Sequence, residues 1–191
     1  MPFLGAPQTP RLPLVERKQK MEIRTQADRP IEVHKFYGGA IVGATALALL
    51  LQTFLPRKLP GADLLDLPLL VTLYFGLSRR NPSTGLLLGM VIGLLQDSLS
   101  HSPIGLFGIA KTLVGFAASS IGSRIDLEHP LSRFILAFVF FYFQLTVLVV
   151  TRRLLLAQPE PFFTLNLLLA ALVNAILAVG LFTLLDRLRK S

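Results

Sequence analysis

Six stretches of this chain are strongly apolar and nearly free of charge, and short charged or proline-containing breaks separate them. The first, Phe36 to Leu55, is uncharged for twenty residues, close to the length a helix needs to cross roughly 30 Å of hydrocarbon. Pro56-Arg-Lys-Leu-Pro60-Gly61 ends it. A shorter run, Leu64 to Leu77, extends back through Asp63, and Arg79-Arg80-Asn81-Pro82 breaks the chain before a third helix over 83–99. Further helices are predicted over 104–122, Leu131 to Thr151 and Phe162 to Leu185. A soluble domain would mix its apolar residues into amphipathic stripes; continuous runs of this length predict an all-α polytopic membrane protein with six transmembrane helices.

Charge then orients the chain. The net charge is +8, alongside 52% apolar residues. In a soluble protein such an excess points to nucleic acid; here it sets topology and touches anionic lipid, and no nucleic-acid partner is expected. With both termini in the cytoplasm, fourteen of the nineteen Lys and Arg fall inside, four outside, and Lys111 within the membrane. That asymmetry satisfies the positive-inside rule. Residues 1–35 form a basic tail opened by Pro2, Pro7, Pro10 and Pro13, flexible at first and lying near anionic headgroups further on. Residues 36–190 form the transmembrane domain. The tail lacks the pattern of a removable signal peptide, and there are no cysteines.

The chain is organised around the block Gly85 to Gly108. Gly85, Gly89 and Gly93 recur every four residues, forming one stripe on one helix face, and Asp97 extends it. Small-residue stripes let helices approach closely in lipid. The fourth helix repeats the device with Gly108, Gly115 and Gly122, and Lys111 lies on that side with Ser119. Helix six carries Asn166, Ala170, Asn174 and Ala178 at four-residue spacing. The intramembrane polar set is therefore Asp97, Lys111, Gln144 and Asn174. Asp97 and Lys111 lie on consecutive helices joined by a short turn. They can pair if Lys111, about two turns deeper, reaches back along its stem. Such a pair reads first as a register device, with a ligand or proton pathway as the alternative. Asp63 and Asp66, at the start of helix two, read as acidic caps.

Reactive constellations are scarce. His34, His101 and His129 fall on different sides of the predicted bilayer, so no metal site is expected. Ser119 and Ser120 have only His129 as a conceivable base, without a strained glycine turn around either serine. Asp97 and Asp126 lie on opposite faces, which excludes an aspartyl dyad, and no phosphate-cradling glycine loop is present. The reading is no enzyme, no catalytic residue and no cofactor.

Two segments resemble a known family. Asp66-Leu-Pro68-Leu-Leu-Val-Thr-Leu-Tyr74-Phe-Gly-Leu-Ser-Arg79-Arg80 is similar to the second helix of the rod shape-determining MreD family. Gly85…Gly89…Gly93-Leu-Leu-Gln-Asp97-Ser-Leu-Ser100-x-x-Pro103-Ile-Gly105-Leu resembles that family's central block, and the similarity runs from about residue 36 to 190. Gly89, Gly93, Asp97, Pro103 and Gly105 are the family-pattern positions. The long basic tail and Lys111 depart from the pattern. The resemblance implies a six-helix inner-membrane protein, similar in fold to the substrate-binding subunits of energy-coupling-factor transporters. It implies a bitopic MreC-like partner and, indirectly, RodA, a class-B penicillin-binding protein and MreB. The implied role is a non-enzymatic scaffold of the cell-elongation (Rod) complex, organising lateral peptidoglycan synthesis and rod shape. In that role Gly85, Gly89, Gly93, Asp97, Pro103, Gly105, Gly108 and Gly115 serve helix packing or partner binding. The competing reading is a vitamin-type small-molecule binding subunit of a transporter, which requires Lys111, Gln144 and Asn174 to converge on an outward-opening polar cavity.

Overall fold

The computed structural model describes residues 38–79, 81–100, 102–122, 124–125, 129–157 and 164–187. The basic tail 1–35, His34, His101 and Asp126 lie outside the described residues. Among the described residues six α-helices follow in order: α1 (Gly38–Lys58), α2 (Leu67–Arg79), α3 (Pro82–Leu99), α4 (Leu106–Ile121), α5 (Pro130–Leu156) and α6 (Leu165–Asp186). A 3-10 turn, Ala62–Leu64, precedes α2. No strand occurs among the described residues.

Local chemistry explains most of the boundaries. Asn81 caps α3 by accepting from the Ser83 and Thr84 N–H groups, with Pro82 in the first turn where its missing N–H costs nothing. His129 and Pro130 open α5 in the same way, and the Thr164 side chain accepts from the Leu167 N–H to cap α6. The helix expected from Leu64 starts later, at Leu67. Asp66 accepts the Leu69 N–H at 2.9 Å and so caps the true first turn, while residues 62–64 form the 3-10 turn before it.

Helix α2 is the axis of the fold. It touches all five other helices, and Pro68 through Leu77 are buried without interruption. At 13 residues it is about 20 Å long, shorter than the hydrocarbon it was expected to cross alone. By length and composition three helices can cross a membrane, α1 from Gly39, α5 and α6, and α4 is a shorter apolar helix. Large apolar side chains such as Ile104, Leu154, Leu165 and Ile176 point outward, as suits a protein surrounded by lipid.

The closest helix pair is α3 with α4. Their backbones touch along the glycine stripe: a Cβ on Gly85 would strike the Gly115 carbonyl and the Ser119 side chain, one on Gly89 the Lys111 carbonyl, and one on Gly93 the Phe107 carbonyl. Gly115 returns the contact against the Gly85 carbonyl. At the opposite end of α2 from its capped start, Tyr74 donates to Asp186 at 2.8 Å and Arg133 donates to the same carboxylate at 2.6 Å. That cluster ties α2, α5 and α6 together.

Candidate functional site

Two carboxylates organise the end of the bundle where α2 and α4 begin. The first is Asp97, in the last turn of α3 and 1% exposed. Its Oδ2 accepts from the Gly105 and Gly108 N–H groups at 2.9 and 3.0 Å, and its Oδ1 from the Phe107 N–H at 2.9 Å. Those donors belong to the first turn of α4, which has no intrahelical partner for them. A carboxylate there also meets the positive end of the helix dipole. Gly105 sits at φ 99°, a left-handed conformation that suits glycine. The ordered Asp97, Pro103, Gly105 and Gly108 of the sequence block are thus one structural unit: a carboxylate, a turn, and the N–H groups that the turn presents.

The second carboxylate is Asp66. Lys111, wholly buried, donates to both of its oxygens at 3.1 and 3.2 Å, and to Gln144 Oε1 at 2.8 Å. Gln144 Nε2 closes the triangle by donating to Asp66 Oδ2 at 2.6 Å. The Lys111 ammonium also stands 5.1 Å from the centre of the Phe107 ring, a cation–π arrangement. Asn174 accepts from the Asp66 N–H at 2.8 Å and donates to the Leu64 and Ala170 carbonyls. Gln52 on α1 donates to the Leu65 carbonyl at 2.8 Å and accepts from the Leu67 N–H at 3.0 Å. The two amides therefore satisfy the irregular backbone from Leu64 to Leu67. Irregular backbone at membrane depth is tolerated only where protein or a water-lined cavity supplies such partners.

The pairing of Asp97 with Lys111 that the sequence suggested is not made. Lys111 goes instead to Asp66, which the sequence marked only as a cap and which here serves as both cap and counter-ion. The reason is steric as well as electrostatic. Asp97 is already committed to three backbone donors, and Lys111 projects from the second turn of α4 toward the start of α2. Of the polar residues expected to converge on a cavity, Lys111 and Gln144 meet at the Asp66 carboxylate, and Asn174 holds the Asp66 backbone N–H. Asn166 lies at the exposed start of α6. Sequence reasoning missed Gln52, which lies inside an otherwise apolar run, and Gln96, beside Asp97. Both are amides on apolar helices, and a buried amide on such a helix needs partners.

A cavity of about 340 Å³ opens beside this network. Gln144 and Asp66 lie along it with Gln52 and Gln96, between walls that include Phe107, Phe141, Leu148 and Leu167. Asp63, Arg152 and Asn166 also line it. Lys111 and Asn174 do not reach the cavity; they are fully buried behind Asp66 and Gln144. Among the described residues no group of His, Cys, Asp or Glu is arranged to hold a metal ion.

These features define the class first: an all-helical membrane protein whose short central helix is held by buried polar side chains, with a glycine-packed helix pair on one side. The model of the rod shape-determining protein MreD matches residues 37–188. The chain belongs to the MreD family, and its role lies in rod shape determination. No curated protein and no solved structure matched the chain.

Proposed function

We propose that the chain is a non-enzymatic scaffold of the bacterial cell-elongation complex. It binds a bitopic MreC-like protein and, through it, helps organise RodA, a class-B penicillin-binding protein and MreB for lateral peptidoglycan synthesis. The observation that carries this reading is the family match over residues 37–188. The use of the buried charges supports it: Asp66, Lys111 and Asp97 bond to one another's helices and turns, holding the fold. The chain sits in the inner membrane as a multi-pass protein with six crossings and both termini in the cytoplasm, a reading supported by the distribution of Lys and Arg. The basic tail lies against anionic lipid.

The test is affinity purification of the tagged protein from its own membranes in mild detergent, followed by mass spectrometry of what accompanies it. Recovery of a bitopic periplasmic protein together with cell-wall synthases is the expected result. Recovery of two ATPases with a coupling membrane subunit would replace the scaffold with a transporter subunit. Sidedness can be read separately, because the natural chain has no cysteine. Ser100→Cys and Ala157→Cys should react with an impermeant maleimide added to spheroplasts, and Asn81→Cys should react only after lysis. Labelling of Asn81→Cys in intact spheroplasts would reverse the orientation.

A further inference from the structure

Arg79 is the exception among the charges drawn into the described part of the bundle. Asp66 and Lys111 hold each other, three backbone N–H groups hold Asp97, and Arg133 holds Asp186. Arg79, the last residue of α2, is only partly exposed, and no side chain or carbonyl among the described residues bonds to its guanidinium. Its Nε is sealed from solvent; the two terminal nitrogens, equally unbonded, reach the surface. The negative end of the α2 dipole favours a cation here, but it supplies no acceptor. A half-buried guanidinium with every donor idle calls for a specific explanation.

Its surroundings supply one. Among the described residues this end of α2 carries Arg79, Arg124, Arg133 and Arg187, and the acid there is Asp186, already taken by Tyr74 and Arg133. Gly122 packs directly on the Leu77 carbonyl, so Arg79 and Arg124 each follow that contact by two residues. Beyond Arg79 the chain turns at Asn81 into α3, where the hydroxyls of Ser83 and Thr84 bond to nothing among the described residues. Ser83 shares a helix face with Leu87 and Val91, which are 55% and 50% exposed. That face meets lipid, so Ser83 stands where hydrocarbon gives way to headgroups.

We propose that the junction of α2 and α3 binds a phosphate group, held by the terminal nitrogens of Arg79, supported by the Ser83 hydroxyl and by the charge of Arg124. A guanidinium presents N–H donors in a fork that matches phosphate oxygens two at a time. Phosphate brings the acceptors that Arg79 lacks, and its charge offsets the excess of cations at this end. The outward-facing Leu87 and Val91 favour a phospholipid as its source, with acyl chains along α3 and the headgroup at Ser83 and Arg79. A free phosphate ester shares the chemistry. The site requires only that the chain spans a membrane, and it stands or falls without the scaffold role.

The full chain, washed free of lipid in mild detergent, provides the test. It is titrated separately with phosphatidylglycerol and with glycerol 1-phosphate, and bound copies are counted by native mass spectrometry. The natural chain should bind one phosphatidylglycerol about tenfold more tightly than Arg79→Gln does. Arg79→Lys, which keeps the charge and loses the fork, should fall between the two, and it keeps the test valid if Arg79→Gln fails to fold. Ser83→Ala should weaken binding severalfold. Arg187→Gln, which removes an exposed cation from the same end, should leave it unchanged. Binding of phosphatidylglycerol alone identifies a lipid headgroup; Arg79-dependent binding of glycerol 1-phosphate identifies a free phosphate ester. Three results would overturn the proposal. They are an affinity that survives Arg79→Gln, an equal loss in Arg187→Gln that marks diffuse charge attraction, and binding of neither ligand, which leaves a carboxylate of a partner protein as the counter-ion.

Discussion

Asp66 and Asp97 are both drawn into the interior within a short distance of helix starts, yet they are neutralised by different means. Asp97 is met by three backbone N–H groups at the start of α4. Those donors exist because a helix begins there, and they cannot be substituted away. Asp66 accepts a single backbone N–H, that of Leu69, and is otherwise met by two side chains, Lys111 and Gln144. Its neutrality depends on residues from α4 and α5 arriving in register. The Asp97 arrangement is local and built from backbone; the Asp66 arrangement is distributed and built mainly from side chains. The first should tolerate changes elsewhere in the bundle, and the second should report on them.

Four single substitutions, with Asp66→Asn added to one of them, probe that contrast in order of expected effect. Gly89→Leu forces a branched side chain into the Lys111 carbonyl and separates α3 from α4, disturbing both carboxylates at once. It should abolish a monodisperse peak in fluorescence-detected size exclusion. Lys111→Met leaves a buried carboxylate without its cation and should cost about 3–5 kcal/mol, measured by thermal unfolding in nanodiscs. Adding Asp66→Asn should recover most of that loss, since an amide needs no counter-ion. Asp97→Asn replaces charge-assisted acceptors with a single neutral one and should cost about 2–3 kcal/mol. Lys111→Met should not rescue it; a rescue would mean that the two aspartates share the lysine, contrary to the geometry. Arg133→Gln removes the partly exposed pair with Asp186 and should change stability by at most about 1 kcal/mol.

The contrast also explains what could be read from the chain alone. All six helices were legible, because uncharged runs and the breaks between them follow directly from the requirements of a membrane. The glycine positions were legible for the same reason: four-residue spacing fixes a face, and Gly85, Gly89 and Gly93 meet α4 on it. The Asp97 turn was visible only as a motif, since backbone donors leave no trace in side-chain identity. The sequence offered Asp97 as a possible partner for Lys111 and left the contact open; the lysine goes to Asp66 instead. Asp97 stood nearer in sequence, while Asp66 lies 45 residues away, and an acid before a short apolar helix looks like a cap whether or not it also binds a cation. Gln52 was passed over because a lone amide in a long apolar run gives no periodic signal. Its role depends on the backbone between Leu64 and Leu67, which is irregular for reasons no local pattern announces.

The brevity of α2 also bears on how the protein is made. Ribosomes deliver its 13 residues to the insertion machinery well before the lysine that balances Asp66. A segment about 20 Å long with an acid at its entrance has little reason to remain in the bilayer by itself. It follows that α2 settles into place only once α4 and α5 have been synthesised, and that nascent chains ending before Lys111 hold this segment loosely. A glycosylation acceptor placed in the loop after α1 of chains truncated at successive points would report the moment of capture, expected as Lys111 and then Gln144 emerge. Biogenesis, in this protein, ends at its centre.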